Sequence, residues 1–288
     1  MWWVNAMNKM LVIARREYKE VLRTRMFWIS SLLPILIMAA AMFWSGRQFS
    51  PKDARQLAQL HSVSRAMGAF IYFFVMFMSM MTPSQMLLTS LIEEKNSRVV
   101  EVLLSAVSPL ELMAGKILGL VGVGLTTAAI YVTALSVVAG STGLLQAPSA
   151  LLLALFFVYY ILGFAIYASL FASVGAACNS LKEAQTVMFP LSLVQIGPFM
   201  FWMNIAQHPN GLFAVALSLF PPTAPTVMIL RIAVLPSPPW WDIAGSLLLL
   251  AGSVPLIVWA AAKIFRTGVL LYGKPPKLGE ILRWVRNS

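Results

Sequence analysis

Six stretches of the chain carry no Asp, Glu, Lys, Arg or His: 27–45, 68–91, 117–139, 150–175, 186–206 and 243–262. Each is long enough for a helix that crosses a bilayer, which needs about 20 mostly apolar residues. Tryptophans gather near their ends: Trp28 and Trp44, then Trp202, then Trp240, Trp241 and Trp259. An indole suits the membrane–water boundary because it joins an apolar body to one N–H donor. A seventh apolar stretch, 211–235, is interrupted by Pro221, Pro222 and Pro225 and contains Arg231. Its two halves are too short to span, so the pattern predicts re-entrant or interfacial helices.

Two further segments have helical periodicity with polar faces. In 10–25, Leu11, Ala14, Tyr18, Val21 and Leu22 share one arc, and Arg16, Lys19, Glu20 and Arg23 point elsewhere. This predicts an amphipathic helix on the membrane surface. Between the second and third spans lies a long charged connection, 93–116. Glu94, Arg98 and Glu101 are spaced to form a ladder of charges on one helix face, and Val99, Val102 and Leu103 occupy another. Ser108-Pro109-Leu110-Glu111 reads as a capping box with proline at the first helical position, so one helix ends near Ser105 and another starts at Ser108. A short helix with charged and apolar faces between two spans suits docking onto another protein; a solvated loop is the plainer alternative.

The composition agrees. With 59% hydrophobic and 11% charged residues and a mean hydropathy of +0.81, the chain is neither an ordinary soluble enzyme nor disordered. The net charge of +11 reads as topology rather than as a nucleic-acid signal. With six spans and both termini cytoplasmic, only Arg47, Lys52, Arg55, Arg65 and Arg231 of the 21 Lys and Arg fall outside. The apolar start at Leu11 precedes Arg15 and Arg16, the reverse of a cleavable signal peptide. The lone Cys178 excludes an intrachain disulfide, and two histidines, His61 and His208, exclude a zinc-protease motif. The fold expected is an all-α polytopic membrane protein: a single transmembrane domain over 1–288, six spans, a helix over 10–25, a cytoplasmic region over 93–108, an external helical segment over 211–235 and a cytoplasmic tail over 263–288.

The run Glu93-Glu94-Lys95-Asn96-Ser97-Arg98 through Glu101, Leu103, Leu104, Ser105, Ser108, Pro109, Gly115, Lys116 and Gly119 resembles the cytoplasmic segment of ABC type-2 permeases, particularly the sodium-efflux (NatB-like) branch. Glu17, Glu20, Arg23, Thr24 and Arg25, with Pro34, are similar to that group's elbow helix and first span. Pro221 to Pro225 with Met228, Leu230 and Arg231 is similar to its re-entrant element. The resemblance implies an ATP-driven exporter in a bacterial cytoplasmic membrane. Its permease halves would form a homodimer or heterodimer on two separate ATPase subunits, which bind the ATP and Mg. Glu93, Glu94, Lys95, Arg98, Glu101, Val102, Leu103, Ser108 and Pro109 would then couple to the ATPase, with Val102 and Leu103 filling an apolar slot on it. The branch carries a large extracellular insertion after span one, whereas only 46–67 joins spans one and two here, so its sodium substrate does not carry over.

No nucleotide site is expected in the chain itself. Gly268 to Lys274 imitates a phosphate-binding loop, but Pro275 stands where the magnesium-binding Ser or Thr must be. No Gly-x-Ser-x-Gly supports a protease. Gly115 and Gly119 allow close helix packing, either within the chain or in a dimer. Pro190, Gln195, Gly197, Pro198 and Asn204 give the fifth span kinks and uncharged polar groups suited to a cavity wall, or Gln195 and Asn204 simply bond neighbouring helices. The rival classes are a secondary transporter or channel, which would usually place an ionisable group at membrane depth, and a membrane scaffold or immunity subunit. The uncharged spans favour an amphiphilic or apolar cargo over a bare ion.

Overall fold

The computed structural model describes residues 2–25, 54–142, 148–237 and 239–268, with part of 27–40. Among them the chain is helical throughout, without strands. The helices are α1 (Trp2–Arg23), α2 (Ala54–Asn96), α3 (Val99–Ala106), α4 (Pro109–Thr142), α5 (Ala150–Ala177), α6 (Leu181–Gln207), α7 (Leu212–Leu219), α8 (Ala224–Val234) and α9 (Trp240–Gly268). Five of these, α2, α4, α5, α6 and α9, are long and apolar enough to cross a membrane. The span expected over 27–45 and the tail beyond 268 lie largely or wholly outside the described residues. The spanning helices overrun their uncharged cores: α2 extends past both ends of 68–91, because helix propensity and packing do not stop where hydropathy does.

α5 is the central helix and packs against α2, α4, α6, α8 and α9. Its Phe156, Tyr159, Tyr160 and Phe164 are fully buried. Ala154, Val158 and Ile161 form an exposed apolar stripe along its first half, and the opposite faces carry the packing. Tyr159 bonds Ser246 and the Ile243 carbonyl of α9. α6 is the most loosely held spanning helix. Near its end, Phe199 and Trp202 pack on Phe70, Phe73 and Phe77 of α2, with the Phe70–Trp202 and Phe73–Phe199 centroids at 4.3 and 4.6 Å.

Between α6 and α9 the chain dips into the bundle and returns to the same end. α7 runs inward, Pro221 and Pro222 make the turn, and α8 runs back with Pro225 in its first turn. The Tyr167 hydroxyl donates to the Pro222 carbonyl, and Gly163 leaves the space that Pro225 and Met80 fill. Gly163 and Tyr167 lie roughly 20–25 Å along α5 from its start, at about 1.5 Å per residue. The turn therefore sits deep in the bundle, and every residue of α8 from Ala224 to Ile232 is buried. Arg231, placed among the external charges by sequence, is 0% exposed. Its Nε donates to the Pro209 carbonyl at 2.6 Å, Nη1 to Ser218 at 2.6 Å and Nη2 to Asp242 at 2.5 Å. Four chain segments thus meet on one guanidinium, which supplies donors in a fixed fork.

Candidate functional site

The connection expected to dock a partner is built at the opposite end of the bundle. α2 ends at Asn96, and Arg98 takes a left-handed conformation, φ 57°. Its N–H donates to the Lys95 carbonyl at 3.1 Å, and the chain then starts α3 in a new direction. This break corrects the expected ladder, because Glu94 and Arg98 are not on one continuous helix. α3 ends at Ala106, and the capping box forms as its residue types dictate. The Ser108 N–H donates to Glu111 Oε2 at 2.8 Å, and the Glu111 N–H donates to Ser108 Oγ at 3.3 Å, with Pro109 at the first position of α4.

The charged residues of the segment divide into two groups. Glu93, Arg98 and Glu101 are exposed, and Val102 is 71% exposed. Glu94 and Lys95 are turned into the fold instead. Lys95, expected at the docking surface, is 1% exposed; its ammonium donates to the Ala176 carbonyl of α5 at 2.8 Å and to the Gly268 carbonyl of α9 at 2.9 Å. Two helix C-termini converge there on one cation, the polarity that suits their dipoles. Glu94 accepts from Lys116 at 2.7 Å, and Lys116 also donates to Glu17 of α1 at 2.8 Å. Leu103, expected in a partner's slot, packs on the chain's own core.

α1 belongs to the same assembly. Added side chains at Gly115 and Gly119 would meet Ile13, the Ala14 carbonyl at 2.7 Å and Glu17, and one at Gly122 would meet Tyr18. The glycine pair therefore seats α1 on α4 within the chain. Tyr18 bonds Thr126 at 3.0 Å, and Lys9 donates to the Ala106 carbonyl at the end of α3 at 2.8 Å. The packed face is centred on Ile13 and Glu17, while Leu11, expected in it, is 56% exposed. Glu17 is held in this face by its ion pair with the buried Lys116.

Between α1 and α2 lies a groove of about 580 Å3. Glu17, Glu20 and Glu93 line it together with Thr82, Gln85 and Thr89 of α2. Thr82 and Gln85 fall inside the uncharged stretch 68–91 yet are exposed. The sequence reading missed this stripe; its signal was the polar spacing 82, 85, 89 and 93 on one face of an otherwise apolar helix. The residues expected to line a path are scattered along α6. Gln195 and Pro198 are buried, and Gln195 lies beside the Tyr167 side chain at the deep turn. Pro190 and Asn204 are exposed, and Gly197 faces open space. Among the described residues no group of His, Cys, Asp and Glu is placed to hold a metal.

Residues 50–263 match the family model described as ABC-2 family transporter protein. The chain is 33% identical over 214 residues to the uncharacterized protein MJ1024 of Methanocaldococcus jannaschii, covering 74% of this chain and 52% of that protein. It is 31% identical over 229 residues to the uncharacterized protein YhaP of Bacillus subtilis, covering 75% of this chain and 54% of that protein. The chain spans about half the length of these curated relatives. The matched region takes in α2 to α8 and most of α9, and the chain belongs to the ABC-2 transporter family of membrane permeases.

Proposed function

We propose that the chain is the membrane subunit of an ATP-driven exporter, with separate ATPase subunits docking on α3. The observation that carries this reading is the exposed surface of Arg98, Glu101 and Val102, held out between two spanning helices of an ABC-2 family member. Both termini and α3 are cytoplasmic in this reading, as the distribution of Lys and Arg favours, in a bacterial cytoplasmic membrane. ATP and Mg sit on the partner, the permease works as a homodimer or heterodimer, and the chain has no catalytic activity of its own. The α7–α8 hairpin is then re-entrant from the outside.

ATP closure would push on α3. Because Lys9 ties α1 to the end of α3 and Lys116 ties α1 to α2 and α4, these helices would move together. The groove between α1 and α2, rather than the face of α6, is the better inner mouth for cargo: Thr82 and Gln85 offer hydrogen bonds where lipid offers none. Its mixture of Thr, Gln and Met side chains suits an amphiphilic cargo.

The test is ATPase stimulation in proteoliposomes containing the permease and its ATPase. Reversing charge with Arg98→Glu or Glu101→Lys should abolish stimulation while the permease still folds and inserts. Full stimulation in both variants would show that α3 is not the docking surface.

A further inference from the structure

At the end of the bundle away from α3, a cavity of about 290 Å3 opens between α2, the start of α5 and the end of α8. Arg65 on its rim is exposed, with no ion pair or hydrogen bond among the described residues. Tyr72, two helical turns deeper, is only 8% exposed, and its hydroxyl has no partner among the described residues. That hydroxyl is not sealed in the protein, and Tyr72 lines the cavity. Buried tyrosine hydroxyls normally find a partner, so this one points to a ligand acceptor.

The start of α5 adds donors. Ser149 takes the N–H groups of Leu152 and Leu153. Pro148, Ser149 and Leu152 line the cavity, so the positive end of a 28-residue helix borders it. The opposite wall has the reverse polarity. The Leu235 N–H closes on the Arg231 carbonyl, and Pro236 has no N–H to offer the Ile232 carbonyl, so α8 presents its carbonyl end to the cavity.

We infer that this cavity binds a zwitterionic phosphate headgroup of the phosphoethanolamine type. The phosphate takes Arg65, Tyr72 and the start of α5, and the ammonium takes the carbonyl end of α8. A simple anion would leave the carbonyl wall unused, and a simple cation would face Arg65. The cavity, about 290 Å3 in volume and open at its rim, admits a headgroup. Two sources carry this chemistry: phosphatidylethanolamine and a free phosphoethanolamine solute.

The experiment uses the full chain, purified in detergent and stripped of lipid, then offered equal phosphatidylethanolamine and phosphatidylglycerol and weighed by native mass spectrometry. In parallel, thermal unfolding is followed with O-phosphoethanolamine. Phosphatidylethanolamine should be retained several-fold over phosphatidylglycerol. Arg65→Gln should lower that retention about tenfold and Tyr72→Phe about threefold, the scales of a charge-assisted and a neutral hydrogen bond. Both variants alter groups without protein partners, so their ligand-free unfolding should match the parent's. Stabilisation by O-phosphoethanolamine without lipid retention, lost in Arg65→Gln, would support the site and name a free solute as its source. Equal retention of the two lipids, retention unchanged in both variants, or no response to any of the three probes would overturn the inference.

Discussion

Arg231 of α8 and Asp242 of α9 meet at 2.5 Å, and the arginine side of the pair is wholly buried. The guanidinium also bonds Ser218 and the Pro209 carbonyl, so its removal strands acceptors on three other segments. Arg231→Met should therefore destabilise the folded protein by about 3–5 kcal/mol, the scale for breaking a buried pair. Asp242→Asn, at the wetter partner, should cost about 1–2 kcal/mol. Unfolding followed by circular dichroism in detergent measures both, and equal small losses would show that the hairpin is held by its apolar contacts alone.

Glycine substitutions separate close packing from propensity. A methyl group at Gly119 would stand 2.7 Å from the Ala14 carbonyl, whereas one at Gly252 meets nothing within 4 Å. Gly119→Ala should cost about 1–3 kcal/mol by overpacking, and Gly252→Ala should gain up to about 1 kcal/mol of helix propensity. Accessibility of a cysteine introduced at Ile13 should rise only in the first background.

Arg98 combines a strained backbone with an exposed charge. Its φ of 57° is a conformation that glycine adopts freely. Arg98→Gly should fold at least as stably as the parent while losing ATPase stimulation in the reconstituted complex. Loss of folding would mean that the side chain itself holds the α2–α3 turn.

Cys178 caps the end of α5 and is buried. Burial pushes its thiol up to about 11, the Glu183 carboxylate adds to the rise, and Lys95 opposes it. The folded state thus holds the thiol proton to higher pH than the unfolded state, whose thiol ionises near about 8.5. The thiol's contribution to stability is present below that value and declines as pH rises toward about 11. Maleimide at pH 7 should label only unfolded protein, and labelling of the native form would contradict the burial.

Gln85 projects into the groove between α1 and α2 from within an apolar helix. Gln85→Leu should reduce transport several-fold while leaving unfolding temperature unchanged or raised, because its side chain bonds no other group among the described residues. Vesicle transport alongside thermal unfolding distinguishes this from a structural role. Unchanged transport would remove the groove from the path.

The parts legible in the sequence were those decided locally. Apolar length marked five helices now seen to be long enough to span, and the Ser108–Glu111 spacing placed the start of α4, because both depend on residues within a few turns of one another. The prolines at 221, 222 and 225 likewise announced a broken segment. What escaped was set by distant partners. Glu17 finds its partner in Lys116, 99 residues away. Arg231 reads as an external charge until Pro209, Ser218 and Asp242 surround it. Lys95 reads as a docking cation until the ends of α5 and α9 close over it. In each case a charge in an apolar chain was paired by tertiary structure, which spacing along one helix does not reveal.

The Lys95 ammonium has a mechanical consequence. Pulling α2, α5 and α9 apart where it joins them would leave a cation and two carbonyl ends in dry surroundings, a larger penalty than sliding apolar side chains past one another. Those three ends act as a fulcrum. Small rotations about it grow with distance, so the widest excursions fall at the far mouth of the bundle, where the Arg231 knot is the one comparable clasp among the described residues.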